Sequence, residues 1–135
     1  MATTTTWLTL IERLAENLWP GRRPVKITAT GGAVGTFTAS SAAYSSGDTG
    51  SYDGVYIHII YDGAGANAAP EGETSQVTTG GYTVATGAFA VSPDYTAAIA
   101  STDIGLFCYG LHPDELLDAA NDIQRTLYLP RYTIL

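Results

Sequence analysis

The chain has 135 residues, enough for one domain with one core. Hydrophobic residues make up 45% of it and charged residues only 14%, a balance that excludes intrinsic disorder, which needs low hydrophobicity and high charge. The net charge is −7, and the stretch from Gly31 to Gly110 holds no Lys or Arg but does hold Asp48, Asp53, Asp62, Glu71, Glu73, Asp94 and Asp103. That central module lacks the basic groups that nucleic acid or an anionic membrane would require, so neither is expected as a partner.

Taken in chain order, the first element is an amphipathic helix. Trp7, Leu10, Ile11, Leu14 and Leu18 recur at helical spacing, Glu12, Arg13, Glu16 and Asn17 fall on the other face, and Pro20-Gly21 stops it. No basic region precedes its apolar residues, so no secretory signal is expected, and no apolar run has the length of a membrane span. Val25–Thr30 and Val34–Ala39 read as strands with Gly31-Gly32 as the turn between them. Ser40–Gly54 reads as a Ser/Gly/Asp-rich loop. Val55–Tyr61 is the strongest strand, with Val55, Ile57, Ile59 and Tyr61 on one face and Tyr56, His58 and Ile60 on the other. Because both faces are apolar or aromatic, it is expected inside the sheet rather than at its edge. Asp62–Glu73 is a long irregular loop. Gln76–Thr79 and Tyr82–Ala85 flank Gly80-Gly81, a hairpin signal, and Gly87–Val91 and Ile104–Tyr109 complete the strands.

The last element is a second helix, entered through His112-Pro113. Proline suits the first helical position, where no N–H is required, and Asp114, Glu115 and Asp118 sit where the helix dipole favours negative charge. Leu116, Ala120, Ile123 and Leu127 form its apolar stripe, Pro130 ends it, and Arg131–Leu135 is a short extended tail. The chain thus divides into an N-terminal helical arm over 1–23, a β-rich core over 24–110, and a C-terminal helix with its tail over 111–135. The fold class is mainly β: a β-sandwich or small β-barrel with one amphipathic helix at each terminus.

Four patterns carry possible chemistry. Gly63-Ala64-Gly65-Ala66-Asn67-Ala68 fits a variant of the dinucleotide fingerprint, but Pro70 and Gly72 follow at once, so the helix that must receive the pyrophosphate cannot extend. His58 and Asp62 resemble half of a catalytic triad, but no serine lies in a nucleophile elbow. His112 with Asp114 and Glu115 reads as a helix cap with an acidic first turn rather than a metal set. Asp48, Asp53 and Asp62 offer oxygen ligands beside glycines, yet EF-hand spacing is absent and turn chemistry accounts for them. The single cysteine, Cys108, lies in an apolar run and reads as a buried, inert thiol. These readings assign no catalytic residue, no cofactor and no metal, and the chain is expected not to be an enzyme.

Residues 52–129 resemble a module of tailed-bacteriophage virion structural proteins. The resemblance lies in a succession of segments: YDGVYIHIIYDG at 52–63, APEGETSQVT at 69–78, GAFAVSP at 87–93, and TDIGLFCYGLHPDELLDAANDIQRTL at 102–127. The last of these, a strand followed by a Pro-started helix, carries most of it. The resemblance implies a virion part made in the host cytoplasm: a capsid cement (decoration) protein or a fibre anchor, with a head–tail adaptor as an alternative. It implies homo-oligomers and contact with other virion proteins such as the major capsid protein. The interface candidates are Trp7, Leu10, Ile11, Leu14, Leu18 and Trp19 on the first helix, whose two tryptophans exceed what so small a core needs, together with Tyr128, Tyr132 and Ile134 near the C-terminus. A carbohydrate-binding or receptor-binding β module is the competing reading. It requires a cluster of exposed tyrosines near Asp48, Asp53 or Asp62.

Overall fold

The computed structural model describes residues 24–43, 47–65, 68–110, 112–116, 118–119, 121–122 and 125. The first helix and the candidates Trp7, Leu10, Ile11, Leu14, Leu18, Trp19, Tyr128, Tyr132 and Ile134 lie outside these residues. Seven strands form one antiparallel sheet: β1 (Val25–Thr28), β2 (Gly31–Ala33), β3 (Thr36–Thr38), β4 (Tyr56–Tyr61), β5 (Thr74–Thr83), β6 (Ala88–Ser92) and β7 (Ile104–Cys108). Their order across the sheet is β1-β7-β4-β5-β6-β3-β2, so the fold is mainly β. A short 3-10 helix, Ser40–Ala42, follows β3. Backbone at 113–116, 118–119, 121–122 and 125 is helical.

The expected strongest strand becomes β4, held between β7 and β5. Its alternation sorts the side chains. Ile57 and Ile59 are fully buried on the inner face, while Tyr56, His58 and Ile60 are half-buried on the outer one. Directly opposed residues of antiparallel strands share a face, so Ser75, Ile57 and Phe107 form an inner row and Thr74, His58, Leu106 and Lys26 an outer one. The inner face is aromatic. Phe37 of β3, Phe89 of β6 and Phe107 of β7 are completely buried, and the Phe37 and Phe107 rings meet edge-on at 5.5 Å. β3 and β7 are separated by three strands in the sheet order, so that contact requires the sheet to curl strongly about its inner face. Tyr52, from the loop before β4, plugs the concavity against Tyr82 at 4.7 Å and Phe89 at 5.0 Å. Gly105 supplies room within β7: a Cβ there would stand 2.9 Å from Phe37 Cε2 and 3.0 Å from Ile57 Cγ2.

Two turns differ from the sequence reading, both at glycine pairs. Gly31 and Gly32 lie in β2, and the chain reverses instead at Val34-Gly35. The hairpin gains its register from Gly32 facing Phe37, an alignment that leaves Val34-Gly35 as the two-residue loop. Gly80 and Gly81 likewise fall inside β5, whose partnership with β6 jumps from Val77↔Val91 to Tyr82↔Phe89. The extra β5 residues form a bulge, with Gly80 at φ +66° and its N–H held by Asp53 Oδ1 at 2.8 Å. The reversal into β6 comes at 84–87. There Gly87 takes φ +67°, and a Cβ would sit 2.0 Å from the Ala39 carbonyl oxygen.

Candidate functional site

Two groups of polar side chains stand out: one on the outer face of β4, the other in the loops at the strand ends. On the outer face, His58 Nδ1 is 2.7 Å from Thr74 Oγ1 of β5. The neighbouring Tyr56 receives the His112 ring edge-on at 4.8 Å. His112 begins the helical segment. Its Nδ1 accepts the Asp114 N–H at 3.1 Å, and Glu115 Oε2 accepts the His112 N–H at 3.1 Å. This is a reciprocal capping box with imidazole in the place usually taken by a hydroxyl. Pro113 and Leu116 are buried beside it, and Leu106 and Cys108 of β7 are each 1% exposed although they point away from the aromatic interior. The outer face therefore carries a second buried apolar group outside the aromatic core, and the start of the helical segment meets that face at Tyr56.

The electrostatics of this layer follow from burial. Burial holds the His58 imidazole below the ordinary histidine value of 6.5; Asp114 pulls the other way, and His112 adds to the fall. Burial also pushes the Cys108 thiol up to about 12, so the thiolate that reacts or ligates metal is strongly disfavoured. Asp62 does not meet His58: its Oδ1 accepts the Ala64 N–H at 2.8 Å, and His58 is turned to Thr74 instead. A strand with period two places residues 58 and 62 on one face only if it stays regular, and β4 ends at Tyr61 after a register shift against β7.

At the strand ends the carboxylates serve the backbone. Asp103, fully buried, accepts the Gly63 N–H at 2.9 Å on Oδ1 and the Ala100 N–H at 2.8 Å on Oδ2. Glu73 Oε2 accepts the Thr96 N–H at 2.8 Å, and the Thr96 hydroxyl donates to its other oxygen. Asp48 Oδ1 accepts the Gly50 N–H at 2.9 Å, and Asp53 Oδ1 holds Gly80. The N–H groups of Gly63 and Ala64, the first that a pyrophosphate would need, are thus bonded to Asp103 and Asp62 in a turn rather than a helix N-terminus. Asp48, Asp53 and Asp62 do not converge, and among the described residues no group of three or more His, Cys, Asp or Glu side chains could hold a metal ion.

Sequence reasoning singled out His58, His112 and the loop aspartates but missed Asp103, Glu73 and Thr74. Asp103 is marked only by its place before the apolar run 104–108, and Glu73 and Thr74 stand at the start of the largely polar β5 with no local signal at all. The partners, Gly63 for Asp103 and Thr96 for Glu73, lie far along the chain. The tyrosines also sort themselves. Tyr82 and Tyr95 are buried and donate their hydroxyls to the carbonyls of Ala42 and Ile57, Tyr52, Tyr56 and Tyr109 are half-buried, and Tyr61 is exposed. No family model, no curated protein and no solved structure matches the chain.

Proposed function

We propose that this protein is a non-enzymatic structural component of a tailed-phage virion, acting as a homo-oligomer in particle assembly or stabilisation. Within that class the reading is a capsid cement (decoration) protein or fibre anchor. The observation that carries it is the succession of segments between residues 52 and 129, from the β4 strand to the Pro-started helical segment. The use of the polar side chains supports it. His112, Asp62, Glu73 and Asp103 each bind backbone N–H groups and so serve to hold loops and a helix start in place. The expected partners are copies of itself and other virion proteins such as the major capsid protein. Nucleic acid is not expected, since the stretch from Gly31 to Gly110 holds no Lys or Arg.

The sheet in this proposal is a small barrel. β1 and β2 stand at opposite ends of the strand order, yet only Ala29 and Thr30 separate them. Ala29 N–H donates to Asp103 O on the β7 side and Thr30 N–H to Thr38 O on the β3 side, at 2.7 and 2.8 Å. One bent strand then serves both edges, and closure of this kind removes edges open to pairing. One amphipathic helix at each terminus completes the proposed architecture, and at least one of the two docks on a neighbouring copy through the residues named above.

The competing carbohydrate-binding module needs clustered exposed tyrosines. Among the described residues Tyr61, 47% exposed, is the single exposed tyrosine, so these residues supply no such cluster. Quantitative mass spectrometry of purified virions, scaled to the major capsid protein, tests the proposal. One copy per capsid subunit, or a simple fraction of it, establishes decoration. A few copies per particle moves the protein to a fibre, the tail or the connector. Absence from the particle overturns the virion role.

A further inference from the structure

The aromatic interior contains no titratable imidazole, whereas both histidines of the chain lie on its outer side, His58 in β4 and His112 against the neighbouring Tyr56 where the helical segment begins. His112 is built into that junction twice. Its unprotonated Nδ1 accepts the Asp114 N–H, and its ring rests on Tyr56. Its carbonyl accepts the N–H groups of Glu115 and Leu116 at 3.0 and 3.4 Å, so the first helical turn is organised around this one residue. His58 lies one step along the same face, half-buried and bonded to Thr74. We propose that the junction is an acid-sensitive latch, with two neutral histidines seating the start of the C-terminal helical segment on the outer face of β4 and β7, and with their protonation releasing it.

The physical steps are two. A proton on His112 Nδ1 turns an acceptor into a donor, so the Asp114 N–H loses its cap, and caps of this kind hold helix starts. A proton on His58 places a charge in a half-buried position, next to a second imidazolium on His112. Among the described residues, the groups that face the pair are few. From the helical segment come Asp114, whose Oδ2 is 3.5 Å from His112 Nδ1, and Glu115, already bonded to the His112 N–H. From β5 comes the uncharged Thr74, and from β7 the uncharged Leu106 and Cys108. Lys26 of β1 lies in the same cross-strand row as His58, roughly 10 Å away at two strand spacings, and adds positive charge. Among the described residues, Asp114 is the one counterion that acts on His58. It is exposed, and its attraction is smaller than the cost of charging a buried ring. Acid therefore loosens the junction and leaves the aromatic interior intact.

Cys108 reports on this opening, because it is the only cysteine and lies in the covered layer opposite Tyr56. The experiment is its modification by 4,4′-dithiodipyridine in the full-length protein, with each rate divided by that of the denatured chain at the same pH. The normalised rate is expected to rise about tenfold from about pH 7.5 to about pH 5, with near-UV circular dichroism unchanged, and to stay flat in the double variant His58→Gln, His112→Asn. Asn keeps a capping acceptor without titrating. An unchanged rate in the wild-type chain overturns the latch, as does an equal rise in the double variant. Should the double variant not fold, hydrogen exchange of the wild-type chain decides. After correction for intrinsic rates, Glu115 and Leu116 must lose protection on acidification while Ile59 and Val77 keep theirs; parallel loss at all four overturns the proposal.

Discussion

Phe107 and Leu106 are neighbours on β7 and are equally buried, yet they belong to two different environments. Phe107 faces the curled interior, where rings from β3, β6 and β7 and the plug Tyr52 interlock. Leu106 faces outward, in a row with His58, Thr74 and Lys26, on the face where Tyr56 meets the imidazole that caps the helical segment. The inner layer is joined across almost the whole sheet, so its contacts are won or lost together. The outer layer meets the helical segment at Tyr56 and combines apolar residues with the half-buried His58, whose imidazole burial holds below its ordinary value. A single strand can thus carry one face that fixes global stability and another that opens locally.

The largest expected effect tests the inner layer. Phe107→Ala removes a ring that touches Phe37, Tyr52 and Phe89 and should lower unfolding free energy by about 3–5 kcal/mol in urea titration. A loss near that of an exposed substitution would mean that the interior is not the cooperative unit described above. Gly105→Ala probes the same layer from the opposite direction. The added methyl would press on the Phe37 ring and Ile57, and overpacking of this kind costs about 1–3 kcal/mol. Thermal unfolding of the purified variant measures it, and an unchanged melting temperature would show that Phe37 has room to move.

The outer layer should respond less. His112→Ala leaves the Asp114 N–H uncapped and removes the ring from Tyr56, for an expected loss of about 1 kcal/mol. Retention of a polar acceptor in His112→Asn should restore most of it, and failure to do so would assign the effect to the ring contact. The smallest effect is a pH dependence. His58 is held below 6.5 in the folded chain, by burial foremost, so below that pH the unfolded chain takes up the proton more readily. The stability contributed by neutral His58 is complete above pH 6.5 and is lost as pH falls towards the lower folded value. Urea titrations at a series of pH values should show this slope in the wild-type chain and a shallower one in His58→Gln. Equal slopes would place the acid sensitivity elsewhere.

Sequence by itself determined the β-rich class, the positions of β1, β4, β6 and β7 to within two residues, and the start of helical backbone at Pro113. These follow from alternation, β-branched and aromatic content and a proline at the first helical position, which are properties of neighbouring residues. It also identified His112 as a cap, because capping is decided within one turn. Only the tertiary structure decided which glycine pairs turn. Gly31-Gly32 and Gly80-Gly81 have the composition of hairpin loops, but the pairing of Phe37 with Phe89 and of Phe89 with Tyr82 sets the registers and pushes the reversals to 34–35 and 84–87. It decided as well that Asp103 would hold Gly63, that Asp62 would turn from His58, and that Tyr56 would receive His112. The first and last of these join residues distant in the chain, and the second follows from where β4 breaks its register against β7. Their proximity depends on how a whole sheet curls to bury its aromatic face, and no local pattern encodes that.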